Sequence, residues 1–473
     1  MPHHDIVIIG SGSGNSLVTP ELADADIAII EGAPWFGGTC LNVGCIPTKM
    51  FVLPADRAID AQTGERLGVR TRFDGADWPA IRDRVFGRID PIAASGEAYR
   101  RDGEHTTLYR GHARFVGPRR LVVDLPEGAV EVTADQVVIA AGSHAFVPPE
   151  IAQSDVETHT SDTIMRLEEL PERLLVVGGG YIALEMAHVF EAFGSAVTLA
   201  VRGEDLLREA DDVVRAVVTA AARERYDVRT GVSVTALRRE DDGIHATLTD
   251  GAEVIVDEVL VATGRRPSTD DLGAELAGVD LRQDGRVVVD EHGRTTAEGV
   301  WALGDVSSPY MLKHVANHEA RVVAHNLAHP EDLHCFIHDA VPYAVFTHPQ
   351  VASVGMTTQE ARDAGHDVVV KVQEYGSTAY GWALEDRTSR CVLVGDRRTG
   401  ALLGGHVVGP QASSLIQPVV QTLALGSSLL DLARGQYWIH PALTEVVENA
   451  ALGLLETMQT EDPESIASAQ TPG

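Results

Sequence analysis

Apolar runs that end at glycine open the chain. DIVIIG and IAIIE are short, nearly continuous apolar stretches, as strands buried on both faces require. Between them lie SGSGNS and a stretch with proline, so residues 5–31 predict strand, glycine turn, short helix, strand. Residues 34–60 begin glycine-rich and become helical. Residues 76–102 predict a long amphipathic helix, its stripe running from Trp78 through Val85, Ile89 and Ile92 towards Tyr99. HARFVG, RLVVDL and VEVTADQVVIAAGS alternate with period two and predict antiparallel strands. A second strand–glycine–helix unit starts at LLVVGGGYIALEMAHVFEAFG, with AVTLAVR as its next strand, and VDEVLVATGRRP closes it near residue 267. VWALGDV is a further strand. From about residue 341 the style shifts to VPYAVFTHPQVASVG, DVVVKVQEY, CVLVGD and LLGGHVVG, strands with helices between and after them. The segment from Met458, rich in Glu, Ser, Pro and Gln, is expected to be disordered.

A chain of 473 residues exceeds a single core and suggests about three domains. Asp and Glu number 69 against 38 Lys and Arg, a net charge of −31. That surface repels nucleic acid and anionic membranes and excludes both as expected partners. No apolar run reaches about 18 residues, so no membrane span is expected. The start, MPHHDIVIIG, lacks a signal-peptide pattern, and a cytoplasmic location is the expectation.

Gly10-x-Gly12 follows the first strand. Glycines there let the backbone turn tightly and approach a pyrophosphate at a helix N-terminus. The third glycine position holds Asn15, with Gly14 beside it. Glu31 ends the next strand, about 20 residues on, where a carboxylate accepts from ribose hydroxyls. A generic turn would use the same glycines, but the position at a strand end together with Glu31 favours a dinucleotide. Gly178-x-Gly180-x-x-Ala183 is a cleaner fingerprint. The following strand ends in Arg202 where an acid would mark NAD, and Arg208 lies six residues further. Guanidinium groups grip a 2′-phosphate with paired hydrogen bonds, which favours NADP. Two dinucleotide units in one chain imply electron transfer between two cofactors.

Four cysteines are present: Cys40, Cys45, Cys335 and Cys391. Cys40 and Cys45 stand in GGTCLNVGCIPTK at 37–49. Metal sites usually need four ligands, and no second Cys/His pair of suitable spacing lies nearby, so no metal is expected there. A redox disulfide needs two thiols and a charge or helix dipole to hold a thiolate. Lys49 is one of three lysines in a chain that otherwise uses Arg, the others being Lys313 and Lys371. Cys335 and Cys391 read as structural.

GGTCLNVGCIPTK resembles the active-site segment of the class I pyridine-nucleotide disulfide reductases. GGGYIALE, VLVATGRRP, VWALGDV, VFTHPQVASVG and WIHPALTE match that family in order, over about residues 4–455. The resemblance implies an α/β chain with two Rossmann-like FAD- and NADPH-binding domains and a C-terminal α+β dimerisation domain. The expected boundaries are 1–150 and 268–340 for the FAD-binding domain, 151–267 for the NADPH-binding domain and 341–457 for dimerisation, with 458–473 as the tail. It implies a homodimer with FAD and NADPH as cofactors and a small-molecule disulfide as substrate. By the same resemblance Cys40 attacks substrate and Cys45 is the thiolate against the flavin. Lys49 and Glu185 form an ion pair beside the flavin, Tyr181 gates it, and Asp305 binds its ribityl chain. Gly38, Thr39, Ala113, Gly142, Ile182, Gly264 and Gly304 carry over as further cofactor-binding positions. His440 and Glu445 resemble the family's C-terminal pair, whose His reaches the partner's cysteines.

Within the family, IGSGSGNS, VFGRIDPIA, HTSDTIMR, SSPYMLKHVANHEARVV, AYGWA and ARGQYWIHPALTEVVENAALG are similar to the actinobacterial mycothione reductases. NSLVTPELADAD, where glutathione reductases place basic residues for substrate carboxylates, has none and suits a carboxylate-free disulfide. A glutathione-type or other low-molecular-weight disulfide reductase remains open, as does a non-catalytic flavin sensor or scaffold. The intact Cys40, Cys45, Lys49, Glu185, His440 and Glu445 speak against the sensor.

Overall fold

The structure is a computed structural model and describes residues 1–460. Its first part alternates strands and helices: β1 (His3–Ile9), β2 (Ile27–Glu31), α1 (Gly38–Asn42), α2 (Cys45–Thr63), α3 (Trp78–Arg101) and β3 (Thr106–Arg110). A meander follows: β4 (His112–Gly117), β5 (Arg120–Leu125) and β6 (Gly128–Ile139), then the short β7 (Ser143–Ala145) and α4 (Pro149–Ala152). One sheet takes the order β3-β2-β1-β6-β5-β4. Its β3-β2-β1-β6 portion is parallel, and the meander is antiparallel, as the alternating pattern predicts. Every residue of β2 is buried, which its unbroken apolar run requires of a strand covered on both faces.

The second unit comprises β8 (Arg173–Val177), α5 (Tyr181–Phe193), β9 (Ala196–Val201), α6 (Asp212–Arg225) and β10 (Asp227–Thr230). The meander β11 (Val234–Glu240), β12 (Gly243–Leu248) and β13 (Glu253–Val256) follows, then β14 (Glu258–Val261) and β15 (Arg265–Pro267). Strands β10-β9-β8-β14 form a parallel sheet, the strand order of a dinucleotide-binding half. The chain then returns to the first sheet. β16 (Val300–Ala302) pairs parallel with β6, and α7 (Lys313–Ala328) follows.

The last part is antiparallel. β17 (Tyr343–Val345), β18 (Val351–Gly355), α8 (Thr358–Asp363), β19 (Val368–Glu374), α9 (Ala379–Ala383), β20 (Arg390–Asp396) and β21 (Leu402–Val408) pair in the order β17-β18-β21-β20-β19. Helices α10 (Ala412–Leu415), α11 (Gln417–Ala424), α12 (Leu429–Arg434) and α13 (Glu445–Thr460) complete it. The fold is therefore α/β with a C-terminal α+β part.

Three expectations change. The short helix after the first glycine turn is two 3-10 turns, Gly14–Leu17 and Pro20–Leu22, because Pro20 withdraws a backbone donor and interrupts the ladder. On α3, Trp78, Val85 and Ile89 are buried, but Ile92 and Tyr99 are exposed. The stripe drifts around the helix while the buried face stays centred near Phe86 and Ala93. Finally α13 continues to Thr460, so 458–460 belong to a helix; the rest of the expected disordered tail lies outside the described residues.

An aromatic stack joins the helices that carry the chemistry. Trp78 of α3 lies 5.1 Å from Phe51 of α2 and 5.2 Å from Phe190 of α5, centroid to centroid. Such pairs add about 0.5–1.5 kcal/mol each beyond area burial. His188 of α5 also meets Asp56 of α2 at 2.9 Å. Lys49 and Glu185 therefore sit on two helices fixed to one another.

Candidate active site

The first glycine turn lies at the carboxyl end of β1, where the strand order reverses between β2 and β6. Gly10 has φ +105°, and a Cβ there would stand 2.4 Å from the Ala140 carbonyl oxygen. Gly38 packs on Gly12 so closely that a Cβ would come within 2.5 Å of the Gly12 Cα. Gly14 takes the close-packing role that spacing reserves for Asn15: a Cβ on it would meet Ile8 at 2.7 Å. Glu31 is buried. Its carboxylate accepts from Ser11 N at 2.9 Å, Ser11 Oγ at 2.5 Å and Ala33 N at 2.7 Å. Ser11 Oγ also accepts from Gly37 N at 2.7 Å, which ties the turn to the cysteine segment.

The second fingerprint repeats the device. Gly178 has φ +134°, and its Cβ would strike the Ala262 carbonyl oxygen at 2.3 Å. Gly180 caps α5 with no side-chain cap, and a Cβ there would meet nothing within 4 Å. The first N–H groups of α5 have no backbone acceptor among the described residues, which suits them to an anion. Ala183 is buried behind it, beside Ile182. Both cradles fit a pyrophosphate, which no Cβ obstructs. Arg202 and Arg208 are exposed on the segment after β9. Arg208 pairs with Glu209 at 2.7 Å, whereas Arg202 has no carboxylate partner among the described residues.

The two cysteines meet. Cys40 lies on α1 and Cys45 begins α2, both as free thiols, Cys40 half-buried and Cys45 exposed. A hydrogen bond from the Cys45 thiol pulls the Cys40 thiol down to about 7, helped by Lys313 and by the N–H groups of Cys45 and Ile46 at the start of α2. The same bond pushes the Cys45 thiol up, as do desolvation at its sulfur and the charges of Cys40 and Asp305. One proton is therefore shared, and the first thiolate forms on Cys40. The family resemblance places the thiolate on Cys45, beside the flavin; in the polypeptide the neighbouring charges favour Cys40, with Lys313 on its side and Asp305 on that of Cys45.

Lys49 and Glu185 face the same region but form no ion pair among the described residues. Lys49 Nζ lies over the Phe346 ring, 3.9 Å from its centroid. Glu185 Oε1 accepts from Phe346 N at 2.8 Å. Burial raises the Glu185 carboxyl to about 7, against that hydrogen bond, and desolvation lowers Lys49. Phe346, the residue after β17, thus meets the cation with its ring and the carboxylate with its N–H, while the two charges still act on each other. Tyr181 opens α5 with its ring exposed. Asp305 accepts from Ser143 Oγ at 2.6 Å, and Arg265 donates to the same Ser143 hydroxyl at 2.8 Å. Gly304 N donates to buried Glu319 at 2.6 Å. Gly142 and Gly264 have positive φ and open space around them; Ala113 is buried in β4, and Thr39 lies beside Cys40 in α1.

Sequence reasoning missed Lys313, Ser143, Arg265 and Phe346. Only Lys313 carried a signal, since it shares the rarity that singled out Lys49. Its Nζ donates to Ser13 Oγ at 2.9 Å. Of the other cysteines, Cys391 is buried in β20 and its thiol is pushed up to about 12, whereas Cys335 is exposed and not a core residue.

His440 lies before α13, 2.7 Å from Glu445 through Nδ1. Its side chain is 70% exposed, flanked by the exposed Tyr437 and Ile439. Glu445 is the imidazole's hydrogen-bond partner among the described residues, and the site's cysteines are not.

Two glycine cradles, a dithiol sharing a proton and an imidazole–carboxylate pair together define a nucleotide-dependent disulfide oxidoreductase. Residues 4–320 match the family described as pyridine nucleotide-disulphide oxidoreductase, and residues 341–451 match its dimerisation domain. The chain belongs to the pyridine nucleotide-disulphide oxidoreductase family, and its cofactors are FAD and a nicotinamide nucleotide. It is 52% identical to mycothione reductase of Mycobacterium tuberculosis, over 96% of this chain and 100% of that one. It is 34% identical to dihydrolipoyl dehydrogenase of Thermus scotoductus, over 96% of this chain and 98% of that one. The solved HOCl-induced flavoprotein disulfide reductase RclA from Escherichia coli superposes with a TM-score of 0.84 at 28% identity, covering 96% of this chain and 99% of that one. No helix of the described residues is long and apolar enough to cross a membrane.

Proposed function

We propose that this chain is a cytoplasmic, NADPH-dependent reductase of mycothiol disulfide, active as a homodimer. The observation that carries the substrate is the 52% identity to a mycothione reductase along 96% of the chain. The uncharged-to-acidic stretch NSLVTPELADAD supports it, because it offers no cation to a substrate carboxylate. Arg202, without a carboxylate partner among the described residues, and Arg208 support NADPH. The FAD cradle is assigned to 1–150 and 268–340, the NADPH cradle to 151–267 and the dimer contact to 341–457.

Bound FAD supplies two-electron transfer from the nicotinamide to the Cys40–Cys45 disulfide, leaving both sulfurs reduced. The chain's own residues do the rest. Cys40 Sγ, as thiolate, attacks one sulfur of the substrate disulfide, and that S–S bond breaks. The first product thiolate leaves and takes a proton from His440 of the partner subunit, whose ring Glu445 orients through Nδ1. Cys45 Sγ passes its proton to the now-neutral His440 of the partner subunit, which returns it to the departing second thiolate, and attacks Cys40 Sγ. The mixed disulfide breaks, the second thiol departs, and the Cys40–Cys45 disulfide re-forms. Two thiols are produced for each two electrons delivered.

The test is a panel of mycothiol, glutathione, lipoamide and trypanothione disulfides, each with NADPH and with NADH. Highest kcat/KM for mycothiol disulfide with NADPH is expected. A clear preference for glutathione disulfide or lipoamide would replace the substrate, and bleaching by NADPH without reduction of any disulfide would revive the sensor.

A further inference from the structure

Away from the cysteines, imidazoles crowd the C-terminal end of α7. His325 lies in its last turn, His329 caps it, and His334 follows in the next loop. The His325 ring stacks on His334 with 3.7 Å between centroids and stands 4.7 Å from His329. Glu21, in the turn Pro20–Leu22, reaches the group with its carboxylate 4.0 Å from His329 Nε2. One ligand atom from each of Glu21, His325 and His329 lies within 4.8 Å of the others.

The scaffold under this cluster is built. Asn326 is fully buried. Its amide donates to the carbonyls of His292 and His334, both at 3.0 Å, and its oxygen accepts from His334 N at 2.7 Å. That clamp presses the loop after α7 against the helix. His325 Nε2 donates to the Asp332 carbonyl at 2.9 Å, which fixes the tautomer and leaves Nδ1 with its lone pair. A ring nitrogen held by a backbone carbonyl is the outer-shell arrangement of metal-ligating histidines.

We propose that Glu21, His325 and His329 bind a borderline divalent cation of the zinc class. Two imidazoles and one carboxylate suit zinc, nickel or copper, whereas calcium and magnesium call for oxygen ligands alone. Tetrahedral zinc with bonds of ~2.0 Å needs ligand atoms ~3.3 Å apart, a rotation of exposed side chains from where they stand. The negative end of the α7 dipole favours a cation at this place. So does the net charge of −31. Lys313, whose charge bears on Cys40, stands at the other end of the helix, ~18 Å along the axis, so the site is separate from disulfide chemistry.

The test uses untagged, FAD-loaded protein with Cys40 and Cys45 oxidised, which removes them as ligands. Zn(II) is titrated against a chromogenic zinc indicator, and melting is followed with and without Zn(II). The wild type should bind one zinc per chain and melt higher when it does. His329→Ala and Glu21→Gln, both at exposed positions, should each weaken binding by at least about tenfold and lose the melting shift. Metal-free melting of the variants should match the wild type, and disulfide turnover of His329→Ala should be unchanged. Cys335→Ser should bind zinc normally. Absence of stoichiometric uptake, full affinity in His325→Ala/His329→Ala, or loss of binding in Cys335→Ser would each overturn the assignment.

Discussion

A thiol whose ionisation depends on its neighbour's proton carries a direct test. The largest cause of the low Cys40 value is the hydrogen bond from the Cys45 thiol. In the reduced protein, iodoacetamide should therefore label Cys40 with a pH midpoint of about 7. Its rate should fall about tenfold for each pH unit below that, as the thiolate fraction does. Cys45→Ala removes the donor, and the midpoint should move up towards the ordinary thiol range. Peptide mapping that finds Cys45 labelled first, or a midpoint that Cys45→Ala leaves in place, would refute the shared-proton picture. Glu185 gives a second test with the opposite sign. Its folded value of about 7 lies above the ~4.3 of an unfolded Glu, so the folded state favours the neutral carboxyl. That contribution is complete below the unfolded value and is lost as pH rises through about 7. Glu185→Gln keeps the bond from Phe346 N without the charge. Relative to wild type it should gain about 3–4 kcal/mol in stability between about pH 4 and pH 8, read from unfolding of the holoenzyme. A difference independent of pH would show that folding leaves the Glu185 ionisation where the unfolded chain has it.

At the scale of elements, what is legible in the sequence is what local geometry demands. Gly10 and Gly178 are visible because a positive φ against a neighbouring carbonyl admits no side chain. Cys40 and Cys45 are visible because they stand in one segment that spans α1 and the start of α2. Ser143, Arg265 and Phe346 are not, because they are ordinary residues that topology brings from distant positions. The meeting of Lys49 and Glu185 at Phe346 is equally hidden, since it depends on where the chain after β17 lays the Phe346 ring. The two arginines after β9 are legible by spacing, and their effect can be measured. Losing a hydrogen bond to a charged group costs about 1.5–3 kcal/mol. Arg202→Ala/Arg208→Ala should thus lower kcat/KM for NADPH by at least about tenfold and leave NADH nearly unchanged. Arg202→Ala should do most of the damage, because Arg208 already spends its guanidinium on Glu209. Equal use of NADPH and NADH by the wild type would remove the basis for this role.

For the whole molecule, the decisive feature is that a single chain leaves its acid–base pair facing outward. His440 holds Glu445 at 2.7 Å, yet the imidazole is exposed beside Tyr437 and Ile439, on the part of the chain that matches the dimerisation domain. An imidazolium is suited to protonate a departing thiolate, and general acid catalysis typically contributes about 10²–10⁴-fold. His440→Ala should slow disulfide turnover by about that factor while reduction of the protein by NADPH continues. Whether the histidine serves its own chain or its partner follows from mixing. Dimers of His440→Ala chains lack the acid, and dimers of Cys40→Ser chains lack the nucleophile. In a mixed dimer one site combines an intact Cys40 from one chain with an intact His440 from the other, and the second site lacks both. Random exchange puts about half the dimers in the mixed form, so activity should recover to about a quarter of wild type under two-fold symmetry. Subunit exchange is verified independently with differently tagged chains. Exchange without recovery would place His440 in its own chain's site, and the shared active site would have to be given up.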